Sequence, residues 1–364
     1  MREFPDFYNP DRIGSLHYPD MTAIAAAAER ANLPPASADG QRVQLLLVDM
    51  QVDFCHEAGT LYVPGALEDI RRVIEFVFRH GAAISDITCT LDSHLPFQIF
   101  HPPWWVDADG NHPEPLTIIS AEDVEQGRWR PLVKPDYSRE YVQELEARSK
   151  KQLTIWPYHV LIGGMGNALD PQLWATVMWH ALARKSQPTW LVKGRVPHTE
   201  HYSAVQPEIN DPTHPQGGVN EAFLRSLRQY DVTLVAGEAE SHCVLETLED
   251  IVAYYEDTPD VLERIYVLQD CTSPVQHPEV DFHALAMERF AKFAEVGVSF
   301  IDSTGPLPAV LSRSETRDFE PEDTVAVSGL QRMGEWEREN VAPAADSAAA
   351  DAEVRTKLRQ ETGL

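Results

Sequence analysis

Six short apolar runs, each followed by polar residues and most separated by stretches of helical periodicity, constrain this chain more than any other feature. The runs are Val43 to Val48, Ala82 to Thr90, Thr189 to Val192, Val232 to Ala236, Ile265 to Leu268 and Val298 to Ile301. Between them, helical spacing is read over Leu67 to His80, Asp170-Pro171 to Ala183, Val219 to Arg228, Cys243 to Tyr255 and Phe282 to Glu295. Apolar runs of this length with few interior polar residues suit strands covered on both faces, as in parallel sheets. Strands alternating with helices predict a three-layer α/β/α domain around a six-stranded, mostly parallel sheet. In such sheets the chemistry gathers at the carboxyl ends of the strands, so the residues after each run are the ones to examine.

Charge narrows the partners. Lys plus Arg number 30 against 57 Asp plus Glu, a formal net charge of -27. Such a chain is repelled by nucleic acid and by anionic membrane surfaces. No apolar run approaches the ~20 residues of a membrane-spanning helix, and Met1 to Pro10 is charged rather than signal-like; a cytoplasmic protein is expected. The four cysteines, Cys55, Cys89, Cys243 and Cys271, form no CxxC pair. A zinc ribbon, a thioredoxin-type dithiol and a disulfide scaffold are therefore not expected.

Polar groups follow four of the runs. Asp49 ends the first, where it either caps the next turn or has a chemical role, because a buried carboxylate needs a partner. After the second come Asp92, His94 and then His101, a spacing that fits a solvated loop or a borderline metal with nitrogen and oxygen ligands. His159, in Trp156-Pro157-Tyr158-His159, is distant in sequence but can return to the same place. Lys193 closes the third run, either snorkelling to water or paired with a carboxylate. Cys243 opens the helix after Gly237-Glu238-Ala239-Glu240-Ser241-His242. It is either an inert buried thiol or a nucleophile whose pKa the helix N-terminus lowers toward thiolate, beside backbone N–H groups able to hold an oxyanion.

Taken together, the segments VDMQVDF (48–54), TLDSH with His101 (90–101), WPYH (156–159), VKG with YSA (192–204) and GEAESHCV (237–244) resemble the isochorismatase-like cysteine hydrolases, and within them the nicotinamidases. They occur in the family's order and span about residues 43–302, the whole α/β core. The resemblance implies a catalytic triad of Asp49, Lys193 and Cys243, and an oxyanion hole from the N–H groups of Ala239 and Cys243, with the Glu238–Ala239 peptide cis. It implies a mononuclear divalent metal on Asp92, His94 and one or both of His101 and His159. Zinc is the first expectation, with manganese or iron as replacements. Phe54 and Trp156 match positions that flank a flat heteroaromatic ring. The implied activity is hydrolysis of nicotinamide to nicotinate and ammonia through a thioester, and self-association into a homo-oligomer is expected by analogy.

Three readings compete: a nicotinamidase, a related amidase acting on an N-carbamoyl compound, a ureide or another small amide, and a non-catalytic binding protein on the same fold. The domain boundaries expected are an N-terminal extension over 1–40, which reads as peripheral, and a hydrolase domain over 41–304. An insertion at about 102–155, rich in Pro, Trp and charge, is expected to act as a lid, a binding loop or an oligomer contact. An acidic tail over 305–364 reads as partly helical or disordered.

Overall fold

The computed structural model describes residues 4–149, 152–277 and 280–308. The expected tail therefore lies almost wholly outside the described residues. Six strands form one sheet: β1 Val43–Val48, β2 Asp86–Asp92, β3 Thr189–Lys193, β4 Val232–Gly237, β5 Ile265–Leu268 and β6 Ser299–Ile301. Their order is 6-5-4-1-2-3, and every pairing is parallel. Chain order reverses between β1 and β4, which is where open α/β sheets leave a crevice outside the strand ends.

All six residues of β1 are buried, and they serve both faces because successive side chains alternate. Leu45 and Leu47 join one apolar layer with Ile70, Val73, Ile74 and Val77 of helix α2 (Ala66–His80). Leu46 and Val48 join the opposite layer, with Leu248 and Ile251 of Leu245–Tyr254 and Phe290 and Phe293 of Phe282–Glu295. The helix over Pro171–Arg184 starts as its sequence dictates: the Asp170 carboxylate accepts the N–H groups of Gln172 and Leu173, and Pro171 occupies the first turn, where no N–H is required.

Four expectations are corrected. The second strand begins at Asp86, not Ala82; Ile84 packs into the core from the turn, and the Ser85 N–H is spent on the Val43 carbonyl. The helix read from Val219 begins at Glu221, where Asn220 caps it. Cys243 lies inside a wide π-helical turn, Glu240–Val244, and the regular α-helix starts at Leu245. The N-terminal segment is not peripheral: in helix α1 (Met21–Ala31), Ile24, Ala27 and Ala28 are buried in the first apolar layer. The insertion contains a helix, Pro135–Ser149, and an apolar cluster of its own, including Trp104, Trp105, Tyr141 and Leu145. Trp156 belongs to the same cluster, so the insertion packs against the residues that follow it rather than standing free.

Gly237, the last residue of β4, has φ +129°, and a Cβ there would lie 2.1 Å from the Val48 carbonyl oxygen of β1. The two strands that flank the crevice can approach this closely only with glycine at that position. Gly237→Ala is expected to lower the free energy of unfolding by about 2 kcal/mol or more, read by urea denaturation. A change within experimental error would contradict this account of the β1–β4 approach.

Candidate active site

Four strand ends deliver the polar groups. Asp49 follows β1 in a left-handed conformation, φ 47°, which a short polar side chain tolerates better than most. Its N–H donates to Thr90 Oγ1 at 3.0 Å, and the Thr90 hydroxyl donates to Asp49 Oδ1 at 2.5 Å. Thr90 is available because parallel pairing sets Leu47 opposite Cys89. Lys193, the last residue of β3, is 3% exposed. Its Nζ lies 2.9 Å from Asp49 Oδ2 and 3.3 Å from Asp92 Oδ1. It donates to the His201 carbonyl at 3.0 Å and toward Cys243 Sγ at 3.6 Å. One ammonium thus touches both acids and the sulfur.

Burial and charge set the protonation pattern. Burial disfavours the Lys193 ammonium, but the carboxylates of Asp49 and Asp92 outweigh it and hold its pKa above the ordinary value. Burial raises the Asp49 pKa against the pull of Lys193, and Asp92 adds to the rise. The Cys243 thiol is pushed well above its ordinary value by burial, which the nearby Lys193 only partly offsets. The expectation of a thiol lowered by the helix N-terminus is therefore corrected: in the resting site desolvation wins, and the sulfur carries its proton. A carboxylate with a raised pKa in the same cluster is suited to receive that proton.

Beyond Cys243 the turn presents backbone donors. The Glu238–Ala239 peptide is cis, as the family resemblance implies. The carbonyl of Ala239 accepts the N–H groups of His242 and Val244, while among the described residues the Ala239 N–H has no backbone or side-chain acceptor. It borders the same pocket as Cys243.

A second cluster adjoins the first. Asp92, His94 and His159 are buried, and each offers a ligand atom within 4.8 Å of the others. The donor chemistry fits a metal. His94 Nδ1 lies 3.0 Å from the Gly194 carbonyl and His159 Nδ1 lies 2.7 Å from the Pro157 carbonyl. A carbonyl only accepts, so each Nδ1 carries the proton and each Nε2 is left with its lone pair. His94 Nε2 then faces Asp92 Oδ2 at 2.9 Å, with His159 Nε2 4.0 Å from the same oxygen. Acceptors held this close require a proton or a cation among them, and a divalent ion with N/O preference meets the need. Gly194 makes room: at φ +83°, a Cβ there would lie 2.3 Å from Asp92 Oδ1.

His101 is brought near but is not in that three-residue group. It is fully buried, with its ring 6.1 Å from that of His94 and 6.3 Å from that of His159. The Pro96 and Leu95 carbonyls lie near it without forming a well-shaped hydrogen bond. Burial and the neighbouring His94 lower its pKa to about 3, so the ring is neutral at ordinary pH.

The pocket lies over both clusters, with about 520 Å³ of empty space including its open mouth, the scale of a small-molecule site. Phe54, Trp156 and Cys243 line it, as do Asp92, His94 and His159. The Phe54 and Trp156 rings stand 5.6 and 6.4 Å from the His159 ring.

Sequence reasoning missed several supports. Gln51 bridges β1 and β2: its Nε2 donates to the Asp92 carbonyl and its Oε1 accepts the Asp92 N–H, both at 2.8 Å. Glu200, His201, Tyr202 and His242 also border the pocket. Glu200 Oε1 accepts from Trp156 Nε1 at 3.2 Å and from the Tyr202 hydroxyl at 2.6 Å. The Tyr141 hydroxyl of the insertion donates to Glu200 Oε2 at 3.3 Å. Tyr202 and His242 stand within the motif segments, where a role was available to be read; Glu200 carried no such signal.

No protein-family model and no curated protein sequence matches this chain. Similar solved structures include a nicotinamidase/pyrazinamidase from Acinetobacter baumanii, 19% identical, covering 73% of this chain and 98% of its own, with a TM-score of 0.46. The yeast nicotinamidase bound to nicotinaldehyde is 18% identical over 71% of this chain and 99% of its own, TM-score 0.47. N-carbamoylsarcosine amidase from Thermoplasma acidophilum is 17% identical over 74% and 100%, TM-score 0.39.

Asp92→Asn and His159→Gln are each expected to weaken binding of added zinc about tenfold or more, measured by competition with a chromogenic chelator. Unchanged affinity in both variants would remove the Asp92–His94–His159 group as a metal site.

Proposed function

We propose that this chain is a metal-assisted cysteine amidase of the isochorismatase-like family, hydrolysing a small heteroaromatic carboxamide, nicotinamide first, to the carboxylic acid and ammonia. The observation that carries the reading is the Lys193 ammonium, 2.9 Å from Asp49 and 3.6 Å from the Sγ of Cys243, which lines the pocket.

In this reading Asp49 takes the thiol proton of Cys243, and Lys193 stabilises the resulting thiolate. The sulfur attacks the amide carbon, and the carbonyl oxygen, now an oxyanion, is held by the N–H groups of Ala239 and Cys243. One well-placed donor of this kind is worth roughly 3–4 kcal/mol in other enzymes. Asp49 passes its proton to the departing nitrogen, the C–N bond breaks, and ammonia leaves a thioester on Cys243. Water then loses a proton to Asp49 as it attacks the thioester carbon. Collapse of that adduct breaks the C–S bond, releases the acid and returns the proton to sulfur. Phe54 and Trp156 flank the flat ring. A divalent metal held by Asp92, His94 and His159, with His101 beside them, supplies a Lewis-acid anchor for a ring nitrogen. Zinc remains the first choice.

A second reading, an amidase for a different small amide such as an N-carbamoyl compound or a ureide, is favoured by the Glu200 carboxylate at the pocket wall and by the insertion that reaches it through Tyr141. A homo-oligomer and a cytoplasmic location are part of the same proposal. Among the described residues, no helix is long and apolar enough to cross a membrane.

Ammonia release from nicotinamide, benzamide, an N-carbamoyl amino acid and a ureide separates the two readings; the first predicts the highest kcat/KM for nicotinamide. Cys243→Ala is expected to lower kcat by about four orders of magnitude while the circular dichroism spectrum and zinc content stay as in the wild type. Near-normal turnover by that variant would overturn the nucleophile assignment.

A further inference from the structure

Behind the turn that carries Cys243, two carboxyl side chains meet out of reach of water. Glu238, the residue before Ala239, is 0% exposed, and Asp69 of α2 is 2% exposed. Glu238 Oε1 meets no donor among the described residues and the Asp69 carboxyl stands beside it; two carboxyl groups can share a hydrogen bond only with a proton between them. Ser273, after β5, reaches both: its hydroxyl donates to Asp69 Oδ2 at 2.5 Å and its N–H to Glu238 Oε2 at 3.3 Å. Among the described residues, positive charge reaches one acid and not the other. Arg72 Nη1 lies 3.3 Å from Asp69 Oδ1, which makes Asp69 the ionised member and leaves Glu238 to hold the proton.

We propose that Glu238 is a positioning residue that works as a neutral acid, its proton tying the turn that bears the Ala239 N–H and Cys243 to Asp69 on helix α2. Its effect on turnover rests on the amidase reading; the shared proton itself does not.

The surroundings agree. Asp69 and Arg72 face the pair from α2, Cys55 from the short helix Val52–Cys55, and Asp270 from the segment after β5. Glu240, on the same turn as Glu238, is taken up by His283 at 2.7 Å. Burial, then Asp69, push the Glu238 carboxyl well above its ordinary 4.5. A carboxyl whose pKa is raised by folding contributes stability that is fully present below the ordinary value and is lost as pH climbs to the raised one. Once ionised, Glu238 opposes Asp69 with no cation of its own among the described residues, and the turn is pushed from α2.

Three measurements on the full-length, metal-loaded protein decide the matter. Glu238→Gln keeps a donor for Asp69 and is expected to retain kcat within about threefold, whereas Glu238→Ala is expected to lower kcat about ten- to hundredfold with a smaller change in KM. Wild-type kcat is expected to fall on the alkaline side as Glu238 ionises, and Glu238→Gln to lack that limb. Unfolding in urea gives the second arm: the stability of Glu238→Gln relative to wild type should rise with pH above 4.5. The third arm needs no turnover. The infrared carbonyl stretch of a protonated carboxylic acid should be present in wild type at neutral pH and absent from Glu238→Gln. Loss of kcat in Glu238→Gln equal to that in Glu238→Ala, or no such infrared difference, would overturn the proposal. A wild-type protein that shows the band but cleaves no amide would instead overturn the amidase reading and leave the shared proton standing.

Discussion

The ion pair of Lys193 with Asp49 is the constraint around which the site is arranged. Both side chains are removed from water, and removing two charges from water costs several kcal/mol each unless geometry and further hydrogen bonds restore it. The site meets that demand with the Thr90 hydroxyl on Asp49, the His201 carbonyl on Lys193, and a second acid, Asp92, on the other side of the ammonium. A buried lysine held in this way keeps its charge, so the sulfur beside it always has a cation to turn to. The same burial keeps the resting thiol protonated. In the proposed mechanism the site stores its nucleophile in neutral form and depends on the acid of the pair to release it.

Asp92 joins two pieces of chemistry. One oxygen faces Lys193 and the other faces His94. Asp49, Asp92 and Lys193 together carry a net charge of minus one, so a divalent cation on the Asp92 side leaves the combined site positive. That sign favours thiolate and oxyanion alike. The sheet makes this economical. Parallel pairing of β1, β2 and β3 brings Asp49, Asp92 and Lys193 to one edge, and the chain reversal between β1 and β4 sets the cysteine turn opposite them.

Much of this was legible in the residues. Apolar runs that end in Asp49 or the Gly237 turn announce buried strands with polar ends, whereas the run that ends in Lys193 is the edge strand, with Thr189, Trp190 and Val192 exposed and only Lys193 buried. What escaped the sequence depends on register and on long-range packing. Thr90 meets Asp49 only because β1 and β2 pair with Leu47 opposite Cys89. The thiol direction was misjudged because a helix N-terminus is visible in sequence, whereas desolvation is set by everything packed around it. The start of β2 was placed too early because Ala82 to Ser85 is apolar enough for a strand yet turns to dock Ile84. Tyr141 and Glu200 lie 59 positions apart, and nothing local to either marks them as partners across the pocket wall.

The central claim is that Cys243 forms a covalent acyl intermediate under the control of Asp49 and Lys193. Rapid mixing with the amide, acid quenching within one turnover and mass spectrometry of the digested protein tests it directly. The account predicts an added mass equal to the substrate minus ammonia, confined to the peptide that contains Cys243. An unmodified Cys243 peptide throughout a productive turnover, or an acyl group on another residue, would contradict it.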